Sequence, residues 1–441
     1  MRFDEAVNYL LSLGHETLAI KLGLANIERL LAALAHPERA YPAVQVAGTN
    51  GKGSTAAMLD RMCRASRVRT GLYTSPHLVS ITERIRVSGR DIAQADFARL
   101  TAQVRAVSNE LASETGALPT FFEQVTAIAL LAFREANVEL AILETGLGGR
   151  LDATTAARAD TIAITPVALD HQEYLGHTLR EIAAEKAAII RAGTTVVVAA
   201  PQPDDVLEVI LARCREYHVA PRFATDNISV LGADASGRLR VTFKTEEDTY
   251  EDVRLSLRGR HQATNAAVAV ALAEVLRARG FPVTRDRIIA GLETAGHAGR
   301  LELRACEPSL LFDGAHNAAG ARALRDYLNE FVSAPLTMIF GAMRDKELDE
   351  IAATLFPAAG KLILTRPTNP RAAALDALAQ LAAPHGVNNS PLVAESPAEA
   401  LRVAEELTPA GGVICVTGSL YLVGEVQSLI ARREGKLNQR D

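Results

Sequence analysis

The chain of 441 residues lacks the features that mark secreted or membrane-spanning proteins. Its four cysteines stand singly, without the close pairs of zinc sites, and this favours free thiols in a reducing compartment. No apolar stretch is long enough to cross a bilayer, and acidic residues follow the initial Met1-Arg2-Phe3 where a signal peptide has a basic start. We therefore expect a cytoplasmic protein with no membrane partner.

The chain also lacks an excess of positive charge, because its formal net charge is −5 and no basic cluster stands out. This removes the electrostatic basis for binding nucleic acid, although small anions need only local positive charge. A hydrophobic share of 48% without low-complexity tracts indicates a globular chain. The chain is longer than a domain with a single hydrophobic core usually is. We expect two domains, a monomer, and small-molecule ligands.

A glycine-rich loop is the strongest motif that is present. An apolar run at 44–47 predicts a strand, and apolar residues at helical spacing from 56 onward predict a helix. Loop amides, the helix N-terminus and a lysine favour phosphate groups. The ordinary P-loop has glycine where Val46 stands and Ser or Thr where Gly53 stands, so this is a variant P-loop. The residues predicted to bind nucleotide are Gly48, Thr49, Asn50, Gly51, Lys52, Gly53, Ser54 and Thr55.

Three further predicted strands end in side chains that can bind a metal ion. Ser75 follows a strand at 68–74, Glu144 follows one at 138–143, and His171 follows one at 161–169. Open α/β sheets bind ligands at the carboxyl ends of their strands, and Mg²⁺ takes few protein oxygens. The pattern predicts magnesium beside the P-loop, although each residue alone also fits a turn or a cap.

Lys186 falls in the middle of the apolar stripe of a predicted helix at 178–190. One interpretation is structural: the side chain reaches the surface or pairs with Glu185 or Glu144. The other is chemical, because burial favours the neutral amine, and a neutral amine reacts with CO₂ to give an anionic carbamate. The sequence leaves both interpretations open.

The pattern of predicted strands and helices changes twice in the second half of the chain. Short alternating strands at 227–259 predict an antiparallel flap, and a helix follows in which Asn265 either acts as the cap, the favoured interpretation, or binds adenine. After a small-residue stretch at 294–300, strands and helices alternate regularly. The predicted fold class is α/β, with a doubly wound, mostly parallel P-loop domain at 1–295 carrying the flap, and a C-terminal Rossmann-like α/β domain at 296–441.

Several motifs in this order resemble those of the folylpolyglutamate synthases and bifunctional dihydrofolate synthase/folylpolyglutamate synthases of the Mur ligase superfamily. The resemblance runs from about residue 22 to 424. It is carried by the P-loop at 46–55, Ser-Pro-His-Leu at 75–78, Glu-x-Gly-Leu-Gly-Gly-Arg-Leu-Asp-Ala-Thr at 144–154, Asp-His with the Glu-Lys helix at 170–189, and Asp-Gly-Ala-His-Asn at 313–317. Thr155 and Ala298 depart from the usual Asn and Pro of that family.

The resemblance implies an ATP-dependent ligase with two Mg²⁺ sites. Its implied metal ligands are Ser75, Glu144, His171 and a carbamylated Lys186, and its implied catalytic residues are Lys52, Lys186 and His316. It also implies that Asn265, Arg300 and Asp313 contact ATP. The implied substrate contacts are Leu22, Gly23, Leu24, Phe122, Glu123, Gln124, Leu151, Asp152, Ala153, His316 and Ser419.

The function that follows from the resemblance is amide ligation. A folate or dihydropteroate carboxylate attacks the γ-phosphorus of ATP, and the amine of L-glutamate then displaces phosphate from the acyl phosphate. Two alternatives are a Mur-type ligase acting on a cell-wall precursor and a P-loop nucleotide-binding module without ligase activity. A buried Lys186 and a second α/β domain speak against the last.

Overall fold

The computed structural model describes residues 1–14, 23–385 and 391–435. The strands are β1 (Ala43–Ala47), β2 (Thr70–Tyr73), β3 (Ile85–Val87), β4 (Arg90–Asp91), β5 (Leu140–Glu144), β6 (Thr161–Ile164), β7 (Thr195–Val198), β8 (Pro221–Phe223), β9 (Ile228–Ala233), β10 (Arg238–Lys244), β11 (Thr249–Arg258), β12 (Glu302–Arg304), β13 (Ser309–Phe312), β14 (Leu336–Phe340), β15 (Lys361–Thr365), β16 (Leu392–Ala394) and β17 (Val413–Thr417).

The helices alternate with these strands in both halves of the chain. They are α1 (Phe3–Ser12), α2 (Ala25–Ala33), α3 (Lys52–Ala65), α4 (Gln94–Thr115), α5 (Phe121–Glu135), α6 (Gln172–Leu175), α7 (Leu179–Ala187), α8 (Asp204–Glu216), α9 (His261–Ala278), α10 (Arg285–Thr294), α11 (Ala318–Phe331), α12 (Leu348–Leu355), α13 (Leu375–Ala382), α14 (Pro397–Leu407) and α15 (Leu420–Arg433).

The first sheet has the strand order β4-β3-β2-β5-β1-β6-β7-β8. From β2 to β8 neighbouring strands are parallel, whereas β3 and β4 add an antiparallel edge. The central strands β1, β5 and β6 are buried along their whole length, as expected for parallel strands covered on both faces. Their carboxyl ends therefore meet at one edge, where the P-loop follows β1.

The predicted flap is an antiparallel sheet of β9, β10 and β11. The alternation of buried and exposed residues along β10 places Leu239, Val241 and Phe243 in the core beneath it. At its far end, the turn at Gly237 lies against the rings of Tyr327 and Phe331 in α11. The flap therefore contacts the second half of the chain.

The second sheet has the order β12-β13-β17-β14-β15-β16, parallel except for the antiparallel edge strand β12. Separate apolar clusters pack against its two faces. Segments that follow β13, β14 and β17 line the same cavities as segments that follow β1, β2 and β6. The carboxyl edges of the two sheets thus face each other, and the predicted α/β fold class is confirmed. The exact domain boundary at 295/296 stays a prediction.

Two predicted element boundaries are wrong in ways that matter for the site. β6 ends at Ile164 rather than 169, because Pro166 has no N–H to continue the ladder. Its carbonyl instead accepts the amides of Thr49 and Asn50 at 3.0 and 3.2 Å. Helix α9 begins at His261 rather than 266, so Asn265 lies inside the helix and is not its cap.

A stability test follows from the buried carboxylate of Glu274, which joins α9 to the flap. It accepts hydrogen bonds from Tyr250 Oη at 2.9 Å and Thr245 Oγ1 at 2.7 Å, and pairs with Arg222. We expect Tyr250→Phe to lower the free energy of unfolding by about 1.5–3 kcal/mol, because the acceptor is charged. Urea denaturation measures this.

The matched control is Tyr9→Phe, which removes a hydrogen bond of 3.0 Å to the neutral amide of Gln124. Its expected cost is about 1 kcal/mol. A loss for Tyr250→Phe no larger than that of the control would contradict an ionised Glu274.

Candidate active site at the junction of the two sheets

The P-loop borders a cavity of about 300 Å³. Gly51 adopts φ +85° at the N-cap of α3, and a Cβ there would come within 2.0 Å of Asn265 Oδ1. Lys52 Nζ donates to the carbonyl of Thr49 at 3.0 Å. Burial lowers the pKa of Lys52, while Glu144 and Asp170 oppose that shift. A desolvated cation facing a glycine loop is suited to a phosphate ligand.

Lys186 lies directly behind the P-loop. Its side chain is 4% exposed, and Nζ donates to the carbonyl of Gly48 at 2.8 Å. The amine therefore neither reaches the surface nor uses a carboxylate as its hydrogen-bond partner. This excludes the interpretation in which the side chain of Lys186 extends to the solvent. Burial, reinforced by the nearby charge of Lys52, lowers the pKa of Lys186 to about 7. A substantial neutral fraction at physiological pH follows.

The three predicted metal-binding side chains line this same cavity. Glu144 is 5% exposed, and its Oε2 accepts the amide of Ser75 at 3.2 Å. Burial raises the pKa of Glu144 despite the opposing charge of Lys52. His171 Nδ1 is buried and has no hydrogen-bond partner among the described residues. A carboxylate, a hydroxyl and an imidazole nitrogen are groups that can bind divalent cations, and the role of these residues as ligands stays a prediction.

Asp170 connects the two sheets, and sequence reasoning did not include it in the site. Its carboxylate pairs with Lys346 Nζ at 2.5 Å and accepts Asn317 Nδ2 at 3.1 Å, and both partners follow strands of the second sheet. Asn317 Nδ2 also donates to Asn50 Oδ1 of the P-loop at 3.1 Å. Burial favours protonation, but His171, His316 and Lys346 hold the pKa of Asp170 well below its usual range. Asp170 is therefore an ionised bridge between the sheets.

The C-terminal segment supplies the other wall of the P-loop cavity. Asp313 accepts the amides of Leu301 and Ala315, both at 2.9 Å, and burial raises its pKa although Arg300 opposes this. His316 Nδ1 lies 2.7 Å from the carbonyl of Gly314, so this nitrogen carries the proton and Nε2 points toward Asp170, 3.5 Å away. Asn265, Arg300, Asp313 and His316 thus meet the P-loop at one cavity.

A second cavity of about 240 Å³ adjoins the first and shares Ser75, His171 and His316 with it. Its wall contains eight of the predicted substrate contacts. These are Gly23, Phe122, Glu123, Leu151, Asp152, Ala153, His316 and Ser419.

Other predicted substrate contacts lie elsewhere. Leu24 packs against the apolar core of the first sheet, and Gln124 is fully buried, with its amide bonded to Tyr9 and Pro119. Of the residues predicted to bind nucleotide, Thr55 does not line the P-loop cavity, because it is buried in α3, where its hydroxyl donates to the carbonyl of Asn265. Leu22 lies outside the described residues.

Two acidic residues on the wall of the second cavity have structural partners. Asp152 Oδ2 accepts the amides of Gly146 and Leu147, both at 2.9 Å, and thereby shapes the glycine loop after β5. Glu123 forms a capping box with Thr120 at the start of α5. Glu123 thus caps a helix and also lies on the cavity wall. The substrate roles of these residues stay predictions.

Lys346 and Arg371 line the second cavity, and sequence reasoning did not assign them. Lys346 follows β14, and its run 341–346 is a strand-end motif, which was an available signal. Arg371 pairs with Asp345 at 2.5 Å. Arg371 lies in a loop before α13, which begins at Leu375, and the next residue, Ala372, forms a β-bridge with Met343.

The fold and this junction define a two-domain P-loop α/β protein whose ligand cavities lie between the domains. The family models "Mur ligase middle domain" and "Mur ligase, glutamate ligase domain" match residues 46–273 and 299–420. The Bacillus subtilis protein called dihydrofolate synthase/folylpolyglutamate synthase is 34% identical, over 94% of this chain and 96% of its own length. The chain belongs to the folylpolyglutamate synthase/dihydrofolate synthase family of the Mur ligases.

Solved structures agree with that assignment. Mycobacterium tuberculosis folylpolyglutamate synthase complexed with ADP and AMPPCP has a TM-score of 0.89 and 32% identity, covering 98% of this chain and 99% of that one. A bifunctional folylpolyglutamate synthase/dihydrofolate synthase with Mn, AMPPNP and L-glutamate bound has a TM-score of 0.83 and 29% identity, covering 98% of both chains. The predicted family is confirmed.

The chain spans about half the length of two archaeal relatives, from Halobacterium salinarum and Haloferax volcanii, each called a probable bifunctional folylpolyglutamate synthase/dihydropteroate synthase. The helices at 1–14, 23–385 and 391–435 include none that is long and apolar enough to cross a membrane.

The Asp170–Lys346 pair gives a test of the junction. Lys346→Met leaves the carboxylate buried without its cation, so we expect a loss of about 3–5 kcal/mol in the free energy of unfolding. If the domains separate to rehydrate Asp170, the radius of gyration from small-angle scattering will increase instead. Adding Asp170→Asn to Lys346→Met should recover most of the loss.

The control for this prediction is Lys361→Met, at an exposed lysine whose Nζ donates to the carbonyl of Leu407. It should change neither quantity. A Lys346→Met protein as stable and as compact as the wild type would show that the pair does not hold the sheets together.

Proposed function

We propose that the protein is an ATP-dependent ligase that joins L-glutamate to the carboxylate of a folate, with dihydropteroate as a second acceptor. The observation that carries the proposal is the pair of adjoining cavities, one beside the P-loop and one whose wall combines apolar and charged side chains, which meet at Ser75, His171 and His316. The names of the relatives and the ligands of the solved structures support the same reaction.

Each cavity suits one part of the reaction. The triphosphate of ATP would lie on the P-loop amides and Lys52, with its γ-phosphate toward the shared residues. The acceptor would occupy the second cavity, whose apolar wall includes Phe122 and Leu151. Its carboxylate then attacks the γ-phosphorus to give an acyl phosphate and ADP. The amine of glutamate displaces phosphate from the acyl carbon, and the leaving phosphate takes the proton that the amine loses.

Protein side chains contribute charge and orientation to these steps. Lys52 neutralises charge on the transferring phosphoryl oxygens. Lys346, Arg371 and Ser419 line the second cavity on the side of the C-terminal sheet and would hold the carboxylates of glutamate. His316, whose Nε2 faces the junction, would orient the incoming amine. Closure of the two sheets excludes water, which hydrolyses acyl phosphates.

Two Mg²⁺ ions would be held by Ser75, Glu144, His171 and a carbamylated Lys186, and they would neutralise phosphate charge when bound. The support for the first three residues is the desolvated Glu144 carboxylate and the unpartnered His171 Nδ1. The carbamate rests on the amine of Lys186, which is buried and has a pKa of about 7. Its formation consumes CO₂ and releases one proton from the amine.

The carbamate proposal predicts a dependence of activity on CO₂. At pH 6 only about one tenth of the Lys186 amines would be neutral, against about half at pH 7. We therefore expect added bicarbonate to stimulate ligation at pH 6 and to have little effect at pH 8. Protein labelled with ¹³C-bicarbonate should show a carbamate resonance that Lys186→Ala abolishes. Ligation by CO₂-depleted enzyme that is unaffected at every pH would refute the carbamate.

The ligase proposal is tested by supplying L-glutamate, MgATP and one acceptor at a time. We expect glutamate- and acceptor-dependent release of ADP with tetrahydrofolate or dihydropteroate, and none with a UDP-muramyl acceptor, the substrate of the cell-wall alternative. Lys52→Met should lower kcat by about 100-fold or more, because it removes a charge that stabilises the transferring phosphoryl group. ATP binding without any acceptor-dependent turnover would favour the nucleotide-binding module.

A monomer, a cytoplasmic location and the absence of nucleic-acid binding also stay predictions. The net charge of −5 supports the last of these.

A further inference from the structure

A glycine inside helix α15 is in very close contact with the first domain. Gly424 is buried, and a Cβ at this position would lie 2.0 Å from the carbonyl oxygen of Leu78 and 2.7 Å from its carbonyl carbon. Glycine weakens a helix interior relative to alanine, so its presence here matches a need for close approach. The contacted atoms belong to the backbone and cannot move aside as a flexible side chain can.

The segment 75–84 that Gly424 contacts is held as a rigid loop. The carboxylate of Glu83 accepts three consecutive amides, those of Leu78, Val79 and Ser80, at 2.9, 3.0 and 2.8 Å. Arg84 is almost fully buried and donates from Nε to His77 Nδ1 at 2.8 Å. A shift of Leu78 is therefore transmitted along the loop rather than absorbed within it.

Both partners in this contact lead to the active site. Ser75 begins the loop, and its amide donates to Glu144 at 3.2 Å. At the other end, Ser419 caps α15, and its Oγ accepts the amide of Tyr421 at 3.1 Å. Ser75 and Ser419 line the same cavity from opposite sheets.

The side chain of Leu78 strengthens the same junction. It packs against the apolar cluster on one face of the second sheet, which includes Val423. The loop 75–84 of the first domain thus packs against the second domain through the side chain of Leu78 and through the backbone contact with Gly424.

We propose that Gly424 is a positioning residue, which sets the place of Ser75 and the adjoining metal and phosphate site through the rigid loop 75–84. Helix α15 then couples the glutamate side of the second cavity, at Ser419, to the P-loop side at Ser75 and Glu144. The proposal rests on the proposed ligase function for its catalytic meaning, although the mechanical coupling can be measured without turnover.

The test is Gly424→Ala, which adds one methyl group against the Leu78 carbonyl. We expect the apparent Mg²⁺ requirement to rise several-fold and kcat to fall by about 10- to 100-fold, because a displacement near 1 Å at a phosphoryl site has that order of effect. Hydrogen exchange of the amides in 76–84 should become faster. The intrinsic preference of alanine for helices acts in the opposite direction on stability.

The matched control is Gly412→Ala, just before β17. A Cβ there would meet Thr408 Cγ2 at 2.6 Å and the carbonyl oxygen of Pro409 at 2.9 Å, so this position is also crowded by its neighbours. Gly412 precedes the amino end of β17, at the edge of the second sheet opposite the junction. Gly412→Ala should lower stability while leaving the Mg²⁺ requirement and the exchange of 76–84 as in the wild type.

Leu78→Ala serves if Gly424→Ala does not fold, because it removes the seated side chain and leaves the carbonyl contact. Leu78→Ala should also raise the Mg²⁺ requirement and speed the hydrogen exchange of 76–84, but by a smaller amount than Gly424→Ala. The binding of MnADP by calorimetry gives a reading without catalysis. A wild type without ligase activity would refute the proposed function alone. Unchanged exchange and unchanged MnADP affinity in the folded variants would refute the coupling alone.

Discussion

The active-site junction depends on the burial of charged groups that are neutralised only when the two sheets meet. Asp170 follows a strand of the first sheet, while its cation, Lys346, and its amide donor, Asn317, follow strands of the second. While the sheets are docked, removing one partner of this desolvated pair costs several kcal/mol, because the other charge stays buried without a counter-charge. Burial also lowers the pKa of Lys186, behind the P-loop, and raises that of Glu144. Buried charge thus contributes to both the geometry and the reactivity of the site.

The sequence predicted the residues at the carboxyl ends of the strands well, because parallel topology alone brings such positions to one edge of a sheet. Ser75, Glu144 and His171, which are widely separated in the chain, line one cavity with the P-loop. For Lys186 the hydropathy pattern indicated burial, but only the structure identifies its partner, the carbonyl of Gly48. A backbone carbonyl carries no signature in the sequence, so that contact could not be predicted.

The failures of prediction have the same physical origin, since they concern contacts between segments distant in sequence. Lys346 and Arg371 become site residues only through the docking of the second sheet, and a single sequence does not specify that docking. Gln124 was expected at the cavity, yet its amide is used by Tyr9 of the N-terminal helix α1. Asn265 had the residue type of a cap, but the backbone is already helical at Arg260, and tertiary packing overrides local capping preference.

The second domain is oriented by contacts at widely spaced points. Helix α11 begins at Asn317 beside the P-loop, and near its other end Tyr327 donates to the carbonyl of Ser236 in the flap at 2.9 Å. Glu330 of the same helix pairs with Arg260 through two bonds of 2.7 and 2.8 Å. Helix α15 adds the contact with Leu78. A rigid helix held at both ends cannot tilt freely, so the flap becomes part of what positions the second domain beside the P-loop.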